Sequence, residues 1–484
     1  LTKAKDWDEI LAMVAAAVKK AKPGQWILGR GWHQEKWTHA PQPNVDGFPF
    51  HASLDAVSPD NPVMLTHASG HGVYVNAVVL KRVGIQKGTP DPEGGQIVRD
   101  ASGEPVGFLR DNAMNPVYRA YDAAIQARGE AENVAELRKA ARLASADAVS
   151  KGITSFVDQG ESFAVLDQLK LLAGEGGLPL RLYAQVDPTN SDMGLAGAAQ
   201  YRKFNALEQL KRFLPDHRIV GFADDHFTVR AVGEVYSDGA LGTHTAWFLK
   251  PYDDLPGSTG VSVLAPKDIR AWADAALAAG YQVTTHAIGD RANREVLDVY
   301  QAEFAAHLQA KDLRWRIEHA QHLDAADIPR FGKLGVIASM QSIHECSDAP
   351  YVVKRLGEER AKDGAYVWRS LMVSGAMIVN GTDVPVEDED PIPNFYCAVT
   401  RRSLKDGVPF HPEQAMTREE ALKSYTWNNA YALFAEDDLG SLSQGMRADI
   451  TVLSQDIMTV PVDAIPATKV VYTLVGGKLV YRRP

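Results

Sequence analysis

From residue 130 onward, apolar, β-branched runs alternate with amphipathic stretches in a regular beat. ITSFVDQ (153–159), LRLYAQV (180–186), FTVRAVGEV (227–235), YQVTTHA (281–287), LRWRIEH (313–319), GVIASMQ (335–341) and AMIVNGTD (376–383) each read as a short buried strand. Between them, segments such as PKDIRAWADAALAAG (266–280) and AADIPRFGKLG (325–335) carry apolar residues at helical spacing. Strands alternating with helices predict βα units and a parallel sheet, here an α/β (β/α)8 TIM-type barrel over residues 116–436. Seven strands are one short of a closed barrel. The eighth is expected upstream of Leu1 or disguised in the N-terminal region, with the helical run 417–434 closing the barrel.

The flanks have other textures. LTKAKDWDEILAMVAAAVKKAKPG places Trp7, Ile10, Leu11, Val14 and Val18 on one face and stops at Pro23-Gly24, predicting a barrel helix over 1–21. Residues 22–115 mix short strands with loops rich in Pro, Gly and His, and IVRDASGEPVGFL predicts a hairpin turning on Ser102-Gly103. This reads as an inserted N-terminal subdomain. Residues 437–484 hold short alternating strands and a Gly476-Gly477 turn, predicting a small C-terminal β-sandwich portion. Its partner strands are expected upstream of Leu1, since so small a sheet needs company.

Composition narrows the function. The 484 residues carry a formal net charge of -10 and no long Lys/Arg run, which argues against nucleic acid and leaves a small-molecule substrate as the expected partner. Only Cys346 and Cys397 occur, so a Cys-rich zinc site is excluded, while one bridge remains open. Any metal must be held by His and carboxylate. No apolar run is long enough to span a bilayer, so no membrane partner is expected. The expected compartment is the cytoplasm, or the periplasm or exterior had a signal peptide preceded Leu1.

His286, His319 and Asp383 each stand where an apolar run gives way to a helix or turn. A barrel gathers its chemistry at the C-terminal ends of its strands, and neutral imidazole with carboxylate suits a divalent ion such as zinc. A single such His is more often a packed core residue; three in successive units favour a metal site.

At these positions the chain resembles the amidohydrolase superfamily, in its YtcJ-like, N-substituted formamide deformylase-like branch. The resemblance rests on SDGALGTHTA (237–246), HAIGDRAN (286–293), RIEHAQ (316–321), the Met-Gln-x-x-His element of SMQSIHECSD (339–348), NGTDVPVEDEDP (380–391) and GSLSQGMRADITVL (440–453). It implies a metal-dependent hydrolase of a C–N bond in an amide, formamide or cyclic amide, with one or two divalent ions, most simply Zn2+, and a possible homodimer. His286 and His319 would be ligands to one metal. Asp383 would be ligand to another and the proton shuttle. Relatives commonly carry a carboxylated lysine four residues before the Asp-Gly of the DGALG element; here that position is Glu234, able to bridge two ions with its own oxygens, and Asp238 would fix the loop. The usual first-strand His-x-His pair is missing. His344 would hydrogen-bond the scissile carbonyl, or alternatively Asp348. His71 and Trp32 would face substrate, His67 would be structural, and Trp37 and Tyr74 would be pocket wall or plain packing. Asp290 suits a helix cap and Arg291 a salt bridge. Two other readings stand beside the amidase: an esterase or lactonase using the same site, and a metal-poor relative that only binds ligand.

Overall fold

In the computed structural model the described residues are 1–403 and 407–484. They form two compact units, Leu1–Ala124 with Asp238–Val263, and Ile125–Ser237 with Leu264–Pro484. The first unit therefore takes in the whole N-terminal region and a later excursion.

Helix α1 (Trp7–Val18) belongs to this first unit and is not a barrel helix. Asp6 caps it by accepting from the Glu9 amide at 2.9 Å. Its apolar stripe, Trp7, Ile10 and Val14, is buried with Trp32, Trp37, Phe48, Tyr74 and Phe108. Helical periodicity shows that a stripe is buried without saying against what. Beside this cluster lies a five-stranded sheet of β1 (Ile27–Trp32), β2 (Val63–His67), β3 (Gly72–Val75), β4 (Gly95–Arg99) and β5 (Pro105–Asp111), in the order β1-β2-β3-β5-β4. The β4–β5 hairpin turns at Ser102-Gly103 as predicted, with Gly103 at φ 87°.

All seven predicted parallel strands are present in the second unit: β6 (Ser155–Glu161), β7 (Arg181–Val186), β8 (Phe227–Tyr236), β9 (Gln282–Ala287), β10 (Arg316–His319), β11 (Ile337–Met340) and β12 (Ile378–Asn380). They pair in sequence order, with a short antiparallel strand at 219–221 against β8. No ladder joins β6 to β12 among the described residues. The sheet is thus a curled, open ribbon rather than the closed eight-stranded barrel expected. Burial from both sides explains the near-continuous apolar strands: every residue of β9 and β10 is buried. Helices α2 (Glu130–Ser150), α3 (Pro266–Ala278), α4 (Asp290–Ala306), α5 (Ser342–Gly364) and α6 (Pro391–Thr400) fall between or beside the strands. The predicted helix at 417–434 is two short helices broken at Thr426, and Asn428 and Asn429 donate to the Ile378 and Asn380 carbonyls of β12. Cys346 on α5 and Cys397 on α6 form a disulfide.

The tail forms a three-stranded antiparallel sheet of β13 (Ile450–Leu453), β14 (Val470–Val475) and β15 (Lys478–Arg482). Gly476 and Gly477, both at positive φ, make the tight turn. Among the described residues the sheet packs against α2 and β7 rather than against sandwich strands. Val480 and Tyr481 pack with Ala148, Val149, Ile153 and Leu180, and the Thr473 hydroxyl donates to the Val149 carbonyl at 2.7 Å. A buried ion pair completes the attachment. Arg181, at the start of β7, donates Nε and Nη2 to the two carboxylate oxygens of Asp449 at 2.7 and 3.0 Å. Asp449 also accepts from the Gly476 amide at 2.7 Å, which fixes the turn.

Removing one partner of a buried, bidentate pair strands the other charge. Asp449→Ala is expected to lower stability by about 3–5 kcal/mol, measured by denaturant unfolding, while Lys478→Ala on the exposed edge should leave it within about 0.5 kcal/mol.

Candidate metal centre

Each chemistry-bearing residue of the second unit sits at or just beyond the C-terminal end of a parallel strand. Glu234 lies near the end of β8, His286 near the end of β9, and His319 closes β10. His344 is in the first turn of α5, just after β11, and Asp383 follows β12 by three residues. The topology brings all five to one end of the ribbon.

Glu234 is aimed by a bulge. Across β8–β9 the register steps from Val232↔Val283 to Val235↔Thr285, so β8 carries one extra residue at Gly233-Glu234. Gly233 makes this possible, because a Cβ there would stand 1.9 Å from the Thr284 hydroxyl oxygen. The glycine inside a strand pattern, VGEV, was the available signal for this bulge. His319 and Asp383 adopt φ of 71° and 56°, rare for residues with side chains and typical of positions where function fixes the backbone.

The Glu234 carboxylate lies between two imidazoles. Its Oε1 is 3.2 Å from His286 Nδ1 and 3.1 Å from His319 Nε2, with all three residues buried. Burial alone would push the Glu234 carboxyl up, but the two imidazoles outweigh it and hold it well below the usual carboxylate range. For His319, burial opposes the charged form, and Glu234 reverses this to leave its pKa raised. The Gln341 side-chain oxygen accepts from His319 Nδ1 at 2.8 Å, which puts the proton on Nδ1 and turns the Nε2 lone pair toward Glu234. A lone pair facing a carboxylate oxygen needs a cation or a proton between them. The donor set therefore fits a divalent metal, with Gln341 as the outer hydrogen bond that orients a ligating histidine.

A second group adjoins the first. His319, His344 and Asp383 each offer a ligand atom, all within 4.8 Å of one another, as do Glu234, His286 and His319. The His344 ring lies nearly parallel to that of His319, with centroids 6.0 Å apart. The start of α5 is held by asparagines that sequence reasoning missed. Asn380 accepts from the Ser342 amide at 3.1 Å, and Asn394 accepts from the Ile343 amide and donates to Asn380 and to the Gly381 carbonyl. An Asn inside the apolar run PIPNFYCAV was its only trace.

The remaining expectations fare differently. Asp348, offered as a partner for His344, accepts from Tyr351, Tyr366 and Gln321. Asp290 is the first residue of α4 and Gly289 occupies the cap position, so Asp290 is not the cap; Arg291 pairs with Glu295 at 2.7 Å. Trp32, Tyr74 and His67 are core residues of the first unit. Trp32 is buried and donates Nε1 to the Leu65 carbonyl. The Tyr74 hydroxyl lies 2.6 Å from the Pro49 carbonyl, and the His67 ring is held between Gln34 and Ser69. His71 remains partly open and pairs with Asp111 at 2.8 Å. Asp238 accepts from the Trp247 amide, pinning its loop. The edge strand β6 carries Asp158 and Glu161, with Asp187 just past β7. Burial pushes Glu161 well up and Asp187 to about 6.

Residues 2–481 match the amidohydrolase family. The chain belongs to that family. It is 34% identical over 475 residues to Protein LONG AFTER FAR-RED 3 of Arabidopsis thaliana, covering 98% of this chain and 77% of that protein. It is 28% identical to the putative amidohydrolase YtcJ of Bacillus subtilis, covering 98% and 83%, and 25% identical to N-substituted formamide deformylase of Arthrobacter pascens, covering 98% and 82%. Among solved structures it resembles an uncharacterized metal-dependent hydrolase of Pyrococcus horikoshii, at 25% identity and TM-score 0.68 over 95% of this chain and 82% of that one. Membership of that family supports a hydrolase, and the histidine and carboxylate groups at the strand ends support a divalent metal. No helix among the described residues is long and apolar enough to cross a membrane.

Gly233→Ala is expected to displace Glu234 and weaken metal binding about 10–100-fold, measured by competition with a chromogenic chelator. Unchanged affinity would show that the bulge does not set the carboxylate.

Proposed function

We propose that this enzyme hydrolyses a C–N bond in an amide, formamide or cyclic amide of a small molecule. The observation that carries the reading is the convergence of Glu234, His286 and His319 with His344 and Asp383 at the ends of successive parallel strands. Glu234, His286 and His319 would hold a divalent cation, and the N/O donor set favours zinc. Such an ion acidifies a bound water and polarises a carbonyl.

The protein's own groups supply the rest. Asp383 shares His319 with the first group, and as a carboxylate it takes the proton from the attacking water and passes it to the departing nitrogen. A leaving amine needs that proton, since an amide anion is too basic to depart unaided. His344 faces the same space from α5 and would donate a hydrogen bond to the carbonyl oxygen as negative charge builds there. With two donor groups sharing His319, a binuclear arrangement with Glu234 as the bridging carboxylate is part of the proposal. Attack at a carbonyl does not demand nitrogen as the leaving atom, so ester or lactone cleavage is the second reading. Matched amide and ester substrates separate the two, because only amide turnover depends strongly on proton delivery to the leaving group.

Asp383→Asn should cut kcat on an amide by about 10²–10⁴-fold while the protein keeps most of its metal, read by steady-state kinetics and elemental analysis. An Asn enzyme of undiminished kcat would overturn the shuttle. Asn394→Ala should lower kcat by about tenfold, because it frees the start of α5 and with it His344. An unchanged kcat would separate that hydrogen-bond net from catalysis.

A further inference from the structure

On the outer layer of the second unit, away from the strand ends, a trio of side chains joins two helices. Glu303 and His307 lie one turn apart at the end of α4, and Asp274 projects from α3. The turn persists through His307, whose amide still donates to the Glu303 carbonyl at 3.0 Å. His307 Nε2 is 3.5 Å from Glu303 Oε2 and 3.7 Å from Asp274 Oδ1. Donor atoms bound to a tetrahedral zinc at its usual bond lengths lie roughly 3.3–3.6 Å apart. Both His307 distances stand within a few tenths of an ångström of that spacing, and one ligand atom from each of the three residues lies within 4.8 Å of the others.

Glu303 makes this more than a surface cluster. Its side chain is fully buried, yet Oε2 accepts no hydrogen bond and is directed at His307. The other oxygen is taken by Arg270 Nε at 2.7 Å, which fixes the carboxylate plane and leaves Oε2 for the cluster. A buried carboxylate oxygen without a donor is costly unless a cation or proton meets it. Burial first, and then the neighbouring Asp274 carboxylate, raise the Glu303 pKa against the opposing pull of Arg270. With Arg270 counted and His307 neutral the group carries one net negative charge, so a dication would be met by attraction. Asp274 and His307 are each about half exposed, which gives an ion an open path and leaves room for a water as fourth ligand.

We propose that Asp274, Glu303 and His307 form a second, peripheral site for a divalent transition-metal ion, which clamps α3 to α4. Mixed imidazole and carboxylate donors select zinc, nickel or copper over magnesium or calcium. The site is separate from the metal centre at the strand ends and does not depend on the reaction proposed there.

The test uses Zn2+ as probe on the full chain with its strand-end centre already loaded. In equilibrium dialysis the wild type should take up one more zinc per chain than His307→Ala or Asp274→Asn, both partly exposed positions that tolerate substitution. Glu303→Gln, which keeps an oxygen for Arg270, should weaken the uptake at least tenfold. Zinc should also raise the Tm of the wild type above that of His307→Ala, whereas Mg2+ should not. Equal zinc uptake by wild type and His307→Ala would overturn the site. So would a Tm difference between them that is the same in chelator as in zinc, for the trio would then be a salt-bridge clamp.

Discussion

The active end of this molecule turns on one contact, a buried carboxylate between two buried imidazoles. Glu234, His286 and His319 come from three adjacent strands, and their approach to about 3 Å is stable only with positive charge among them. The local sequence is arranged to force that approach. Gly233 admits the bulge that points Glu234 inward, Gln341 fixes which nitrogen of His319 faces it, and the left-handed backbone at His319 turns the ring away from the strand it ends. The cost of this crowding is carried by the parallel sheet, whose central strands β9 and β10 are buried throughout.

Much of this was legible in the amino-acid sequence, for physical reasons. Parallel strands buried on both faces read as short apolar runs, and all seven were found. Their ends are where a polar residue must leave the core, which is why His286, His319 and Asp383 stood out. Glu234 is different: strand patterning alone shows an acidic residue inside an apolar run, and only the comparison with lysine at that position suggested a role. The home of α1 was misjudged because an amphipathic stripe does not name its partner. For Trp32 the sequence shows an aromatic residue in a loop-rich region, which looks the same whether it lines a pocket or fills a core.

Long-range polar contacts were the least legible. Arg181 and Asp449 are 268 residues apart, and nothing local to either predicts the other. The same holds for Asn380 and Asn394, which tie the chain after β12 to the start of α5. Each is a hydrogen-bonding residue in an apolar setting, which signals that a partner exists without identifying it. The acidic residues of β6 and the one just past β7 were passed over because single Asp and Glu residues near strand ends are ordinary. Only the fold gathers them.

His319 belongs to both donor groups, and this sets a limit on how they can be filled. Gln341 holds its Nδ1, so the imidazole has one lone pair to give. Two ions cannot each claim it. In the proposed two-ion arrangement one group would be complete only while the other is served by its remaining members and solvent. In that arrangement the setting of a single histidine ring would decide which of the two positions is complete.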